Sequence, residues 1–205
     1  MQHVKLTIDG TEIEVRAGTL LIDAARKAGV PVPSLCFLPG LPARAVCRVC
    51  AVSVTGLRGL VPACATAAAE GMEVATQLQT VKQARRVLFE LALAEHGPCD
   101  EEVCGGEQNC QLIRLAREHG VTERRFDTIE RPVRQELSSD SIRVRLDGCI
   151  LCDRCIQSCR DLHVIGRAGL GQSTHIVFDA DAGLDESDCV ACGDCVAVCP
   201  VDVFK

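Results

Sequence analysis

Two short runs near the end of the sequence, Cys149-x2-Cys152-x2-Cys155-x3-Cys159 and Cys189-x2-Cys192-x2-Cys195-x3-Cys199-Pro200, constrain this chain more than any other feature. The repeated spacing marks an internal duplication. Three thiolates on one turning loop can hold three corners of a cubic four-iron core, but the fourth corner faces away and needs a residue from elsewhere. In runs of this type the fourth Cys of each copy ligates the other cluster. One [4Fe-4S] cluster would therefore take Cys149, Cys152, Cys155 and Cys199, and the other Cys189, Cys192, Cys195 and Cys159. A pair of zinc sites needs only four thiolates per ion and leaves the third Cys of each short run unexplained.

Seven cysteines remain outside these runs. Cys36-x10-Cys47-x2-Cys50-x13-Cys64 is a four-thiolate set in a β-rich segment, and it suits one [2Fe-2S] cluster with two thiolates on each iron. Taken alone, Cys47-x2-Cys50 could also anchor zinc or act as a redox dithiol. The last three are Cys99, Cys104 and Cys110, one thiolate short of a third [4Fe-4S] cluster. His96 lies just upstream. It either completes that set or merely ends the preceding helix, where an imidazole interacts well with exposed carbonyls and the dipole. Counting favours ligation. Eight, four and three cysteines exhaust all fifteen, and His96 makes sixteen ligands, four for each of four clusters. Imidazole in place of thiolate removes negative charge from a cluster and so shifts its potential. A row of such centres carries single electrons.

Composition agrees with a metal-held fold. The 205 residues include neither Trp nor Tyr and only five Phe, so the largest apolar side chains are nearly missing. Bound metal would supply the missing stability. The cysteine count is odd and the start, Met1-Gln2-His3-Val4-Lys5, has no apolar secretory region, which argues for a cytoplasmic protein over a secreted disulfide scaffold. Nowhere do about eighteen apolar residues follow one another, so membrane association would go through a partner and not by direct insertion. A net charge of -6 gives no general attraction for nucleic acid.

The patterning predicts three segments, 1–79, 80–140 and 141–205. Val4–Ile8 and Thr11–Val15 alternate around Asp9-Gly10, a hairpin signature. A short helix should follow, capped by Thr19 and ended by Gly29. Val81, Ala84, Val87, Leu88, Leu91 and Ala92 recur at helical period over 80–95, with Lys82, Arg85 and Arg86 on the wet face. A second helix should run from Gln111 to Gly120, followed by a polar connector. Its basic run, Arg124, Arg125, Arg131 and Arg134, reads as a solvated face or a partner-docking patch. Gly166 to Gly171 lacks the spacing of a nucleotide-binding loop and reads as a flexible connection. His3, His119, His163 and His175 read as ordinary surface or core residues. The acidic group Asp179, Asp181, Asp185, Glu186 and Asp188 should lower the potential of a cluster beside it.

The order of these motifs resembles, over nearly the whole chain, the N-terminal iron-sulfur region of the large electron-wire subunit of respiratory complex I. Iron-only hydrogenases share that region, as does the small diaphorase iron-sulfur subunit of soluble NAD-linked nickel-iron hydrogenases, which the chain resembles most. The resemblance rests on the Cys36, Cys47, Cys50, Cys64 set, the His96, Cys99, Cys104, Cys110 set and the two ferredoxin runs. It implies an α+β chain with a β-grasp (ubiquitin-like) [2Fe-2S] domain, a helical [4Fe-4S] module held by one His and three Cys, and a two-cluster [4Fe-4S] ferredoxin domain. Two departures are visible: the family's middle motif usually reads His-x3-Cys-x2-Cys-x5-Cys, and Arg160 follows the first run where Pro is expected. With Lys205 six residues after the last ligand, the reading expects no catalytic domain on this chain. The implied role is an electron-transfer subunit of a hetero-oligomer. It would relay electrons between an NAD(P)-binding flavoprotein subunit and a catalytic subunit, a hydrogenase first. The alternatives are an NAD-dependent formate dehydrogenase or complex I-like enzyme, and a free-standing polyferredoxin carrier.

Overall fold

Strands β1 (His3–Ile8) and β2 (Thr11–Arg16) form the hairpin that the alternation predicts, with Val4 opposite Val15 and Ile8 opposite Thr11. Asp9 and Gly10 both take positive φ, 46° and 83°, as a two-residue turn matched to strand twist requires. The chain is described here from a computed structural model covering residues 2–97, 106, 109–128, 137–159, 162–179 and 182–205. It divides into two compact units, Met1–Phe89 and Glu90–Lys205.

In the first unit, helix α1 (Leu21–Lys27) follows the hairpin, and a long loop bearing Cys36, Cys47 and Cys50 leads into β3 (Ala51–Val54), β4 (Leu60–Pro62) and β5 (Met72–Ala75). The five strands are ordered β2-β1-β5-β3-β4. The β1–β5 pair is parallel and the others are antiparallel, the β-grasp arrangement. Alternate residues Val4, Leu6 and Ile8 of β1 pack with Leu21, Ile22, Ala24 and Ala25 of α1 in one core, which Cys50 and Cys64 also enter.

The helix ends show where local rules held. Gly29, at φ +73°, closes α1 in a Schellman motif: its N–H donates to Arg26 and that of Val30 to Ala25. Thr19 does not cap the start. The N-cap is Leu20, whose side chain packs against the core, and the first free N–H, that of Leu21, donates to the Thr66 carbonyl. A backbone partner from across the domain replaces the hydroxyl.

Helix α2 (Gln79–His96) extends one residue beyond each end of the span its periodicity suggests, and its buried side is rotated. Val81, Arg85, Phe89, Glu90, Leu93, Ala94 and His96 are inside, whereas Leu91 is 46% exposed. Arg85 therefore does not belong to the wet face.

In the second unit, α3 (Gln111–Glu118) ends in another Schellman motif at Gly120. Helices α4 (Arg154–Ser158) and α5 (Asp194–Val198) pack against each other, and strands β6 (Ile165–Ala168) and β7 (His175–Phe178) form a hairpin beside them. Gly166 thus lies in a strand, and of that run only Gly169 to Gly171 fall in the connection, residues 169–174. Phe178 meets Phe204 edge to face, 6.3 Å between ring centroids. No described helix is long and apolar enough to cross a membrane.

Candidate metal centres

The Cys36, Cys47, Cys50 and Cys64 thiols converge. Cys47 Sγ lies 3.2 Å from Cys36 Sγ, and Cys50 Sγ lies 3.3 Å from Cys64 Sγ. These separations are far beyond a disulfide bond, about 2.05 Å. A hydrogen bond also relates Cys36 to Cys64, which links the two pairs into one set. The two residues closest in sequence, Cys47 and Cys50, therefore fall in different pairs. Residues at positive φ turn the approach: Ala45 at 53° and Arg48 at 60°. Hydrogen bonds from Cys47 and Cys64 hold Cys36 far below the usual thiol range, and both partners are pushed up in return. The bond with Cys64 brings Cys50 to about 7. Four such donors in two pairs fit a two-iron core.

His96 closes α2 and is fully buried. Its Nδ1 lies 2.6 Å from the Gly148 carbonyl and its Nε2 lies 3.5 Å from Cys110 Sγ. A carbonyl only accepts, so Nδ1 carries the hydrogen and Nε2 presents a lone pair toward Cys110. Burial pushes the imidazole pKa down, the Gly148 bond opposes this, and Arg124 adds to it, which favours the neutral ring. A neutral ring fixed through one nitrogen by a carbonyl is the state a metal-ligating histidine adopts. Cys110, the residue before α3, is fully buried and its thiol is pushed up by burial. The other two members of this set, Cys99 and Cys104, lie outside the described residues, as do Arg131, Arg134, Arg160 and Asp181.

Two members of the basic run are exposed, Arg125 by 64% of its side chain, yet both reach back to the protein. Arg124 donates to the Leu93 and Gly97 carbonyls at the end of α2, and Arg125 pairs with buried Glu90 at 3.4 Å. They brace the turn that carries His96, an arginine use suited to exposed terminal carbonyls.

Cys149, Cys152, Cys155 and Cys199 line one pocket. Its other walls include Ile176, Val201, Val203 and Phe204, so its lining is largely apolar. Burial pushes Cys152 up to about 12 and raises Cys155 and Cys199 as well. Buried thiols that resist ionising on their own would ionise only against a strong positive charge, and iron supplies one. In the second run, Cys189 and Cys192 both act on Cys195, which burial pushes to about 11. Cys159 is half-buried at the end of α4, the helix packed against α5. No disulfide joins any described cysteine, and among the described residues no three His, Cys, Asp or Glu side chains converge tightly enough for a single metal ion.

Of the other histidines, His119 Nδ1 bonds the Leu115 carbonyl and His175 Nδ1 the Ser173 carbonyl. Sequence reasoning missed the Gly148 carbonyl, 52 residues from His96, because no local pattern links them. It also missed Arg85, whose polar type concealed an inward position.

Residues 1–79 match the 2Fe-2S iron-sulfur cluster binding domain family, and residues 148–203 match the 4Fe-4S dicluster domain family. The chain is 36% identical over 202 residues to an NADH-quinone oxidoreductase subunit of Rhizobium meliloti (strain 1021), covering 97% of this chain and 23% of the relative. It is 37% identical over 210 residues to NADP-reducing hydrogenase subunit HndD of Solidesulfovibrio fructosivorans, covering 98% of this chain and 35% of the relative. It thus spans only a quarter to a third of these curated relatives. A chain in the crystal structure of an NAD+-reducing [NiFe]-hydrogenase in the H2-reduced state superposes with a TM-score of 0.88 at 26% identity, covering 98% of this chain and 86% of that one. The chain is a homologue, over nearly all its length, of these oxidoreductase and hydrogenase chains, with a 2Fe-2S cluster binding domain at its start and a 4Fe-4S dicluster domain towards its end.

Proposed function

We propose that this chain is an iron-sulfur electron-transfer subunit. It relays single electrons between an NAD(P)-linked flavoprotein subunit and a catalytic subunit, with hydrogenase the favoured catalyst. When bound, the clusters supply the one-electron carriers. The protein's part is to hold and insulate them. Cys36, Cys47, Cys50 and Cys64 would hold one [2Fe-2S] cluster, and His96 with Cys99, Cys104 and Cys110 one [4Fe-4S] cluster. Cys149, Cys152, Cys155 and Cys199 would hold a second, and Cys189, Cys192, Cys195 and Cys159 a third. The division 1–79, 80–140 and 141–205 follows these sets. The observation that carries the reading is the pocket in which Cys199, from the second run, meets all three leading cysteines of the first. Crossed ligands of this kind belong to paired four-iron centres.

The apolar pocket wall keeps water from the sulfurs, and the Gly148 carbonyl orients His96 so that Nε2 faces inward. Neither arrangement moves a proton or breaks a bond, as suits a carrier. Formate dehydrogenase and complex I-like enzymes remain alternative destinations, since relatives of this chain include an NADH-quinone oxidoreductase subunit. A free-standing carrier is the other reading. A cytoplasmic location goes with either. Anaerobic purification from the native host separates them: the relay subunit should co-purify with a flavin-containing, NAD(P)-reducing polypeptide. Recovery of the chain alone, fully loaded and unassociated, would refute it.

A further inference from the structure

The first unit contains one buried charge that its own protein groups do not balance. Arg85 projects inward from α2 and is 3% exposed. Its Nε donates to the Ala51 carbonyl at 3.0 Å, and Ala51 directly follows Cys50. Its Nη2 is buried with no hydrogen-bond partner, and among the described residues no carboxylate pairs with the guanidinium. Asp9 is near enough to act on Arg85 electrostatically, but its two oxygens accept from the Thr76 N–H at 2.7 Å and the Thr76 hydroxyl at 2.5 Å. Burial pushes the guanidinium pKa down, and Cys50 opposes this more than Asp9 does. A cation withdrawn from water is costly unless an anion faces it. The thiol set at Cys50 is the neighbour able to become one.

We propose that Arg85 is the fixed countercation of the [2Fe-2S] centre, a positioning residue that orders the Ala51 peptide beside Cys50 and stabilises the reduced cluster. The inference rests on the assignment of Cys36, Cys47, Cys50 and Cys64 to that centre. Reduction adds one electron from an external donor, breaks no bond and leaves one further negative charge in a low-dielectric setting. A buried guanidinium facing that charge favours the reduced form, and with water excluded the interaction is little screened by salt. Arg85 Nε is held by the Ala51 carbonyl, the peptide directly after Cys50, and its buried Nη2 is left without a hydrogen-bond partner among the described residues.

The test is a mediated redox titration of the full chain, purified without oxygen, following the paramagnetic signal of the [2Fe-2S] centre in the unsubstituted protein, Arg85→Met and Arg85→Lys. The Met variant should be reduced with an equilibrium constant lower by about tenfold, equivalent to about 59 mV for one electron. The Lys variant should lie closer to the unsubstituted protein, and the four-iron signals should stay in place in both. A Met variant that fails to retain the centre while the Lys variant retains it also supports a requirement for charge. Equal potentials in all three proteins, equal falls in both variants, or loss of the centre from both variants would overturn the proposal. Absence of a [2Fe-2S] signal from the unsubstituted protein would instead reject the cluster assignment itself.

Discussion

The cysteine run that begins at Cys149 and the run that begins at Cys189 follow one backbone path through different surroundings. In each, the third residue turns back through positive φ, Leu151 at 52° and Ala191 at 51°, and its N–H donates to the first sulfur at 3.4 Å. In each, the fifth residue is again left-handed, Asp153 at 64° and Gly193 at 79°, and a five-residue helix follows. The environments then diverge. Cys149, Cys152 and Cys155 are all buried, whereas Cys192 is exposed. At the sixth position the first run has Arg154, which donates to Gln111 and to the Val198 carbonyl, and the second has exposed Asp194. Asp153 is clamped by Arg167 at 2.5 Å, while Asp185, Glu186 and Asp188 lie exposed before the second run. Spacing sets which sulfurs meet; the residues between and before them set the charge and water that the sulfurs feel. Two centres with the same ligands should therefore answer differently to the same perturbation.

The largest effects should come from exchanging one ligand. Because the fourth cysteine crosses over, Cys199→Ser should abolish the centre built on the first run, and Cys159→Ser the centre built on the second. Iron content and the two four-iron signals of each variant check this. If each substitution instead removed the centre of its own run, the crossed arrangement would be wrong. Of intermediate size is the charge effect on the second run. Replacing Asp185, Glu186, Asp188 and Asp194 with their amides should raise the potential of the centre lost in Cys159→Ser by about tenfold in its reduction equilibrium, about 59 mV. These acids are exposed, so raised salt should shrink the difference. Smallest is Arg154→Gln, which should lower the potential of the other centre by roughly threefold in the same equilibrium, since a half-buried cation is only partly screened. A redox titration in which either change moved both centres equally would erase the comparison.

Much of this was legible in the sequence because ligand spacing and turn chemistry are local. Asp9-Gly10 specified its hairpin, Gly29 and Gly120 their helix ends, and the duplicated runs their matching loops. What was not legible depends on partners far along the chain. The sequence offers Thr19 as a cap, but Thr66 supplies the contact that makes it unnecessary. Arg85 belongs by type to water and by position to the interior, because the peptide after Cys50 receives it. The role of His96 rests on the Gly148 carbonyl, which no pattern around His96 announces. Cys36 to Cys64 could be grouped from their number, but their pairing, 36 with 47 and 50 with 64, required the fold.

The most direct test of the account is Mössbauer spectroscopy with iron and acid-labile sulfide analysis on anaerobically isolated, iron-57-enriched protein. The account predicts equal iron and sulfide, about 14 of each per chain, with about one-seventh of the iron in a [2Fe-2S] centre and the rest in three [4Fe-4S] centres. Zinc in place of iron, or iron without sulfide, would contradict it.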